Sequence, residues 1–139
     1  MMETSHSEAG FNLDRELAAK AFKELLATPS RGRIWIASHV DEQVGYIVLT
    51  YRFSMESGGI DAHIEDIYVR TGERRNGVGS RLLTEAIKRS EEDGLKAIHV
   101  ETGSDDLRAI QFYRRHNLLN RGRTFMTVEI TENKLAKPK

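Results

Sequence analysis

Between Ile60 and Glu92 a strand-like run, a two-glycine loop and an amphipathic helix follow one another, which commits this stretch to a strand–loop–helix unit. The loop reads Arg74-Arg75-Asn76-Gly77-Val78-Gly79. Two glycines two apart let the backbone turn tightly and bring its amides close to a ligand with no side chain between them. A helix that starts there leaves its first N–H groups unpaired and partly positive, so an anion gains hydrogen bonds and roughly 0.3–1 kcal/mol of dipole interaction. Arg74 and Arg75 add two cations beside it. Ser80-Arg81-Leu82 follows, which supplies neither the Gly-Lys-Ser/Thr of a Walker loop nor the third glycine of a dinucleotide fingerprint.

Val78, Leu82, Leu83, Ala86 and Ile87 share one side of the predicted helix, with Arg81, Glu85, Lys88, Arg89, Glu91 and Glu92 opposite, and Gly94 ends it. A short strand from Ala97 to Thr102 comes next. Strand, helix and strand from Ile60 to Thr102 then form a right-handed parallel crossover, with the glycine loop at the carboxyl end of the first strand.

Upstream, Leu17, Ala18, Ala21, Phe22, Leu25 and Leu26 recur at helical spacing, with Asn12 or Asp14 as cap and Pro29 beyond the end. Arg33 to Val40 and Val44 to Met55 read as a hairpin around Asp41-Glu42-Gln43, and Ser57-Gly58-Gly59 turns the chain into the third strand, Ile60 to Val69. Downstream, Asp105 or Asp106 caps a helix running to about His116, and Thr124 to Ile130 alternates as a last strand. The expectation is one α/β (α+β) domain over residues 12–131, with loose tails at 1–11 and 132–139. Its sheet is mixed and largely antiparallel, flanked by helices.

Lys plus Arg and Asp plus Glu each number 21, so there is no basic excess to draw nucleic acid or an anionic membrane to the whole molecule. No apolar run reaches the roughly 18–20 residues of a membrane span. The chain has no cysteine, which removes thiolate metal sites and cysteine nucleophiles and fits the reducing cytoplasm. The five histidines, His6, His39, His63, His99 and His116, show no ligand spacing, so no metal is expected.

Several segments fall in one family's order and spacing: Ile64-Glu65-Asp66-Ile67-Tyr68-Val69, the R-x-x-G-x-G loop from Arg74, the turn Asp93-Gly94-Leu95, and Ala109-Ile110-Gln111-Phe112-Tyr113. Over roughly Arg33 to Ile130 the chain resembles the GNAT family of N-acetyltransferases. Within it, Glu65-Asp66 and Phe112-Tyr113-Arg114-Arg115 look most like polyamine acetyltransferases, and the whole also looks like small bacterial members. The resemblance implies acetyl-CoA as cosubstrate, bound in a wedge where the strand of Ile67, Tyr68 and Val69 splays from that of Val100. Residues Arg74, Arg75, Asn76, Gly77, Val78, Gly79 and Ser80 would cradle the pyrophosphate, and Asp106 would lie toward the cofactor. It also implies Tyr113 as general acid. Departures from the family pattern are Arg75 where glycine is frequent, Asp106 where asparagine is frequent, Asn117-Leu118 in place of Gly-Phe, and no recognisable first strand before the initial helix.

Acetyl transfer to a primary amine needs a neutral nucleophile, and an amine of pKa about 10.4 is almost wholly protonated at pH 7. Glu65, on the strand entering the wedge, is the candidate base, on the expectation that burial raises its pKa. Asp66, next to it on the strand, faces the other way. A phenol such as Tyr113 is protonated at neutral pH and can donate to a departing thiolate. Trp35, Tyr46, Tyr51 and Phe53 read as sheet core. The carboxylates Glu56, Asp61, Glu65 and Asp66 gather around the second hairpin, either to attract a cationic amine or simply as a solvated edge. The alternative is a non-catalytic CoA-binding or sensory domain of the same fold. With no strand before the first helix, the apolar edge Ile34-Trp35-Ile36 is expected to be covered in a homodimer.

Overall fold

A computed structural model describes residues 15–130. Helix α1 (Arg15–Ala27) leads through a 3₁₀ turn, Pro29–Arg31, into β1 (Gly32–His39), β2 (Glu42–Ser54) and β3 (Gly59–Val69). A second 3₁₀ turn, Thr71–Glu73, precedes α2 (Val78–Glu92), β4 (Ile98–Val100) and α3 (Leu107–Arg115). The four strands form one sheet in the order β1-β2-β3-β4. The first three pair antiparallel, and β4 returns parallel to β3, opposing Ala62 to Ile98, His63 to His99 and Ile64 to Val100. This is a mixed, largely antiparallel sheet with a parallel crossover, as the sequence leads one to expect.

Strand β2 shows how the layers are assembled. Val44, Tyr46, Ile47, Val48 and Leu49 are all buried, because a central strand covered on both faces has no polar side. Tyr46 and Val48 pack with Tyr68 against Phe22 and Leu25 of α1. Ile47 and Leu49 pack with Ala62 and Ile64 against Leu82, Leu83 and Ala86 of α2 and Tyr113 of α3. The sheet therefore lies between α1 on one face and α2 with α3 on the other.

The first hairpin turns at Val40-Asp41, starting one residue before the expected Asp41-Glu42-Gln43 turn, and Glu42 and Gln43 belong to β2. Val40 takes a left-handed φ of 57°, unfavourable for a β-branched side chain. In α1 the core face is narrower than its apolar spacing predicts: Ala18 is buried, while Leu17 and Leu26 are exposed. Phe53 is likewise exposed rather than sheet core. The larger difference is at the carboxyl end. Thr124 to Ile130 alternates as a strand should, yet residues 118–130 form no regular element, since none of them pairs with a strand among the described residues. The proposed caps Asn12 and Asp14 and the two tails lie outside the described residues.

Candidate functional site

The site is made by two strands parting. Pairing of β3 with β4 ends at Ile64 opposite Val100, but β3 continues to Val69. From Glu65 onward the β3 edge on that side has no strand neighbour among the described residues, while the other edge remains paired to β2 from Asp66 to Val69. Unpaired main-chain groups on such an edge must find another partner. Ile67, Tyr68 and Val69 lie on this open edge, as expected for the cofactor wedge.

Glu65 is the extra residue of a bulge: Val48 opposes Asp66 and Leu49 opposes Ile64, so Glu65 has no partner in the register. The bulge bends the strand and breaks strict alternation where β4 leaves. Glu65 is exposed, not buried, and its carboxylate accepts a hydrogen bond from Thr50 Oγ1 at 2.9 Å. The burial expected for this carboxyl is not found. Asp66 is half-buried and accepts 2.6 Å from the Tyr46 hydroxyl, on the α1 side.

Beyond β3 the loop closes back on the strand. Arg74 Nε donates to the Val69 carbonyl at 2.8 Å, and its guanidinium lies 5.5 Å from the Tyr68 ring centre. Arg74 thereby braces the loop as well as charging it. Arg75 adopts a left-handed φ of 70° where the family favours glycine, and Gly77 does so at 79° as the residue preceding α2. Gly77 offers no side-chain cap to the first turn, which leaves those amides open to an external acceptor. Arg75, Asn76 and Gly77 are exposed and Val78 is half-buried.

Gly79 is instructive because the protein itself leaves room there. A Cβ would stand 3.6 Å from the Phe112 ring and 3.7 Å from a Val69 methyl, ordinary contacts that require no glycine. Ser80 Oγ lies 2.9 Å from His116 Nε2, joining the start of α2 to the end of α3. Burial, helped by Arg115, lowers the pKa of His116 and favours its neutral ring. Sequence reasoning missed this link, whose one signal was a histidine at the end of a helix that already carried the family motif.

Asp106 caps α3, accepting from the Ala109 amide at 3.1 Å. That helix buries Tyr113 in the main core beside Phe112, with ring centres 5.2 Å apart. Burial, with Asp66 and Asp106 nearby, pushes the Tyr113 phenol up to about 12. It is protonated throughout the neutral range and is a weak acid.

The remaining carboxylates of the second hairpin are already engaged. Asp61 is buried, receives a 2.8 Å bond from Ser57 Oγ and lies 2.9 Å from His99 Nε2. Burial works to raise its pKa, but the bonds to His99 and Ser57 prevail and hold it below the ordinary carboxylate value. His63 stacks on His99 at 5.2 Å, and burial together with Arg52 and His99 lowers its pKa. Glu56 pairs with Arg123 at 3.0 Å. A separate cleft of about 420 Å³ lies beside β1, lined by Trp35, Ile36, Asn76, Val78 and Arg81 among others. It touches the loop but is two strands away from the β3–β4 fork.

The model of the acetyltransferase (GNAT) family matches residues 2–117. Among solved structures, an integron cassette protein from the mobile metagenome of Cole Harbour Salt Marsh is 36% identical, with a TM-score of 0.84 over 94% of this chain and 80% of that one. A possible acetyltransferase from Clostridium difficile 630 has the same fold at 20% identity, with a TM-score of 0.83 over 94% and 86% of the two chains. AAC(6')-Iy, solved with the bisubstrate analogue CoA-S-monomethyl-acetylneamine, aligns at 14% identity, with a TM-score of 0.75 over 85% and 82%. No curated protein sequence is matched. The family match spans the helix α1, the forked sheet, the glycine loop and the tyrosine helix, and the chain belongs to the GNAT acetyltransferase family.

Proposed function

We propose that this protein is an acetyl-CoA-dependent N-acetyltransferase acting on a small primary amine, as a cytoplasmic homodimer. The observation that carries the reading is the β3 edge from Glu65 to Val69, left open by β4 and leading directly into an uncapped, glycine-started helix. The space at Gly79 supports it, since the absence of a side chain there answers no demand of the fold itself.

Acetyl-CoA supplies an activated acyl thioester. Arg75 and the amides around Gly77 and Gly79 hold its pyrophosphate, with Arg74 bracing the loop, Ser80 fixing the start of α2 and Asp106 capping α3 on the same side. Main-chain groups of Ile67, Tyr68 and Val69 align the pantetheine. Glu65, exposed at the bulge and oriented by Thr50, receives a proton from the ammonium directly or through water. The neutral nitrogen then forms a bond to the carbonyl carbon as the carbon–sulfur bond breaks, and the nitrogen releases its remaining extra proton to solvent, from which Tyr113 is reprotonated after donating. Tyr113 donates toward the sulfur. With its phenol pushed up to about 12, its proton passes late in the step, and hydrogen bonding to the developing thiolate is its main contribution.

AAC(6')-Iy, a neighbour of the same fold, was solved with the bisubstrate analogue CoA-S-monomethyl-acetylneamine, which supports a small soluble amine as acceptor. The test is release of free thiol from acetyl-CoA across a panel of polyamines, amino sugars and amino acids. Turnover with at least one amine is expected. Acetyl-CoA binding without thiol release across the panel would leave a CoA-binding domain instead.

A further inference from the structure

Five polar side chains share the face of the sheet on which α1 rests, beyond the residues it packs on. Ala62 and Ile64 of β3 and Ile98 and Val100 of β4 belong to the main core against α2 and α3. Alternation therefore turns Asp61, His63 and His99 to the opposite face. Thr50, which opposes His63 across the β2–β3 pairing, holds Glu65 on that same side. Helix α1 packs on Tyr46, Val48 and Tyr68, toward the other end of these strands. His63 and His99 face each other in register one residue before β4 leaves the sheet at Val100, so the polar row ends at the fork.

Asp61, only 2% exposed, fixes the chemistry of this row. Burial opposes its ionisation, yet the bonds to His99 and Ser57 hold its carboxyl below the ordinary value, so it is a carboxylate at neutral pH. A carboxylate only accepts, so His99 Nε2, at 2.9 Å, carries the hydrogen, and in the neutral ring Nδ1 keeps a lone pair. Among the described residues the His99 ring makes no second hydrogen bond. The His63 ring makes none and stacks on His99 at 5.2 Å; burial, then Arg52 and His99, lowers its pKa and keeps it neutral. The other charges at hand are Arg52, opposite Asp61 on β2, and Glu101, exposed two residues past His99. A neutral imidazole with a free lone pair and an anion behind it is a proton acceptor. Two stacked rings repel when both are charged, so the pair takes up one proton at a time, and Asp61 places it on His99.

We propose that His99, positioned by Asp61 and stacked with His63, receives through water the proton that Glu65 takes from the acceptor ammonium. The ammonium N–H bond breaks and its proton goes to the Glu65 carboxylate, from there to a water, and from the water to His99 Nδ1. His99 becomes an imidazolium against Asp61, and its side chain, 32% exposed, returns the proton to solvent. Glu65 is left as a carboxylate, ready for the next ammonium. Along β3, Glu65 and His63 stand about 6–7 Å apart at roughly 3.3 Å per residue, a span that one water bridges. An acceptor seated at the fork covers Glu65, and the row gives the proton an outlet that the acceptor does not block. The inference rests on the acetyl-transfer reading for the source of the proton, and not for the shared titration of the two rings.

Two measurements test it. Long-range nitrogen–proton correlation spectra of the isotope-labelled full chain, recorded without ligand between pH 5 and 9, report both nitrogens of each ring, with His63→Gln and His99→Gln assigning the signals. The expected result is an Nε2–H tautomer for neutral His99, one proton uptake sensed by both rings, and loss of the His99 proton at a pH lower by about one unit in Asp61→Asn. The tautomer and the shared uptake are read in the wild type, so they decide the matter even if Asp61→Asn does not fold. The second measurement is thiol release from acetyl-CoA with an amine that turns over. His99→Ala is expected to be slower by about tenfold or more at pH 7 with unchanged acetyl-CoA affinity, the deficit closing toward pH 9 and free imidazole restoring part of the rate. An Nδ1–H tautomer, independent titration of the two rings, or the wild-type rate in His99→Ala at pH 7 would overturn the relay. Shared titration with no thiol release from any amine would strike the acetyl-transfer reading instead, and the relay with it.

Discussion

Tyr113 combines a core position with a reactive group, and the two roles separate under substitution. Phenylalanine keeps the ring against Phe112 and the α2 core and removes only the hydroxyl. A purely structural role predicts little beyond a lost hydrogen bond of about 1 kcal/mol. The catalytic role predicts that Tyr113→Phe lowers turnover by roughly 10²–10⁴-fold with little change in acetyl-CoA affinity. Because the phenol is pushed up to about 12, the wild-type rate should rise with pH as the amine deprotonates, with no fall attributable to this group below that value. The same shift affects stability. A raised folded-state pKa contributes stability that is fully present below the unfolded value near 10 and is lost as pH rises toward 12. Denaturant midpoints between pH 9 and 12 should therefore fall less steeply for Tyr113→Phe than for the wild type. Parallel curves would show that the hydroxyl is not desolvated as its burial implies.

Among the elements, the loop before α2 carries an internal cost. Arg75 adopts φ 70°, a conformation that costs an ordinary residue about 1–2 kcal/mol. Glycine adopts it freely, though it adds freedom to the unfolded chain. Arg75→Gly should raise stability by about 1 kcal/mol, a shift of roughly 3–5 °C for a domain of this size, while weakening acetyl-CoA binding through the lost cation. A lower midpoint on calorimetry would mean that Arg75 is held by contacts worth more than the strain. The loop was legible in the sequence because glycine spacing and a following apolar stripe are local signals. The crossover and the capping role of Asp106 were legible for the same reason. Glu65 was placed on the right strand but in the wrong environment, since a bulge is set by pairing with β2 and leaves no mark on β3's own alternation. The segment from Thr124 to Ile130 carries a strand's pattern without a strand's partner. Periodicity records which side of a segment seeks burial and says nothing of what supplies it.

For the molecule as a whole, the central proposal is binding of acetyl-CoA, which the sequence, the forked sheet and the family match support and from which the proposed chemistry follows. A ligand that binds only the folded state at a hundredfold excess over its dissociation constant adds about 2.7 kcal/mol of stability. Gly77 supplies the discriminating variant. Nothing of the protein lies within 4 Å of a Cβ built there, and aspartate is among the few residues that tolerate its left-handed backbone, so Gly77→Asp should remain folded. It would, however, set a carboxylate where the pyrophosphate is proposed to lie. The decisive measurement is the thermal midpoint of the wild type and of Gly77→Asp, each with and without saturating acetyl-CoA. The account predicts a rise of several degrees for the wild type and none for the variant, whose own midpoint stays close to that of the unliganded wild type. An equal rise in both proteins, or none in the wild type, would contradict it.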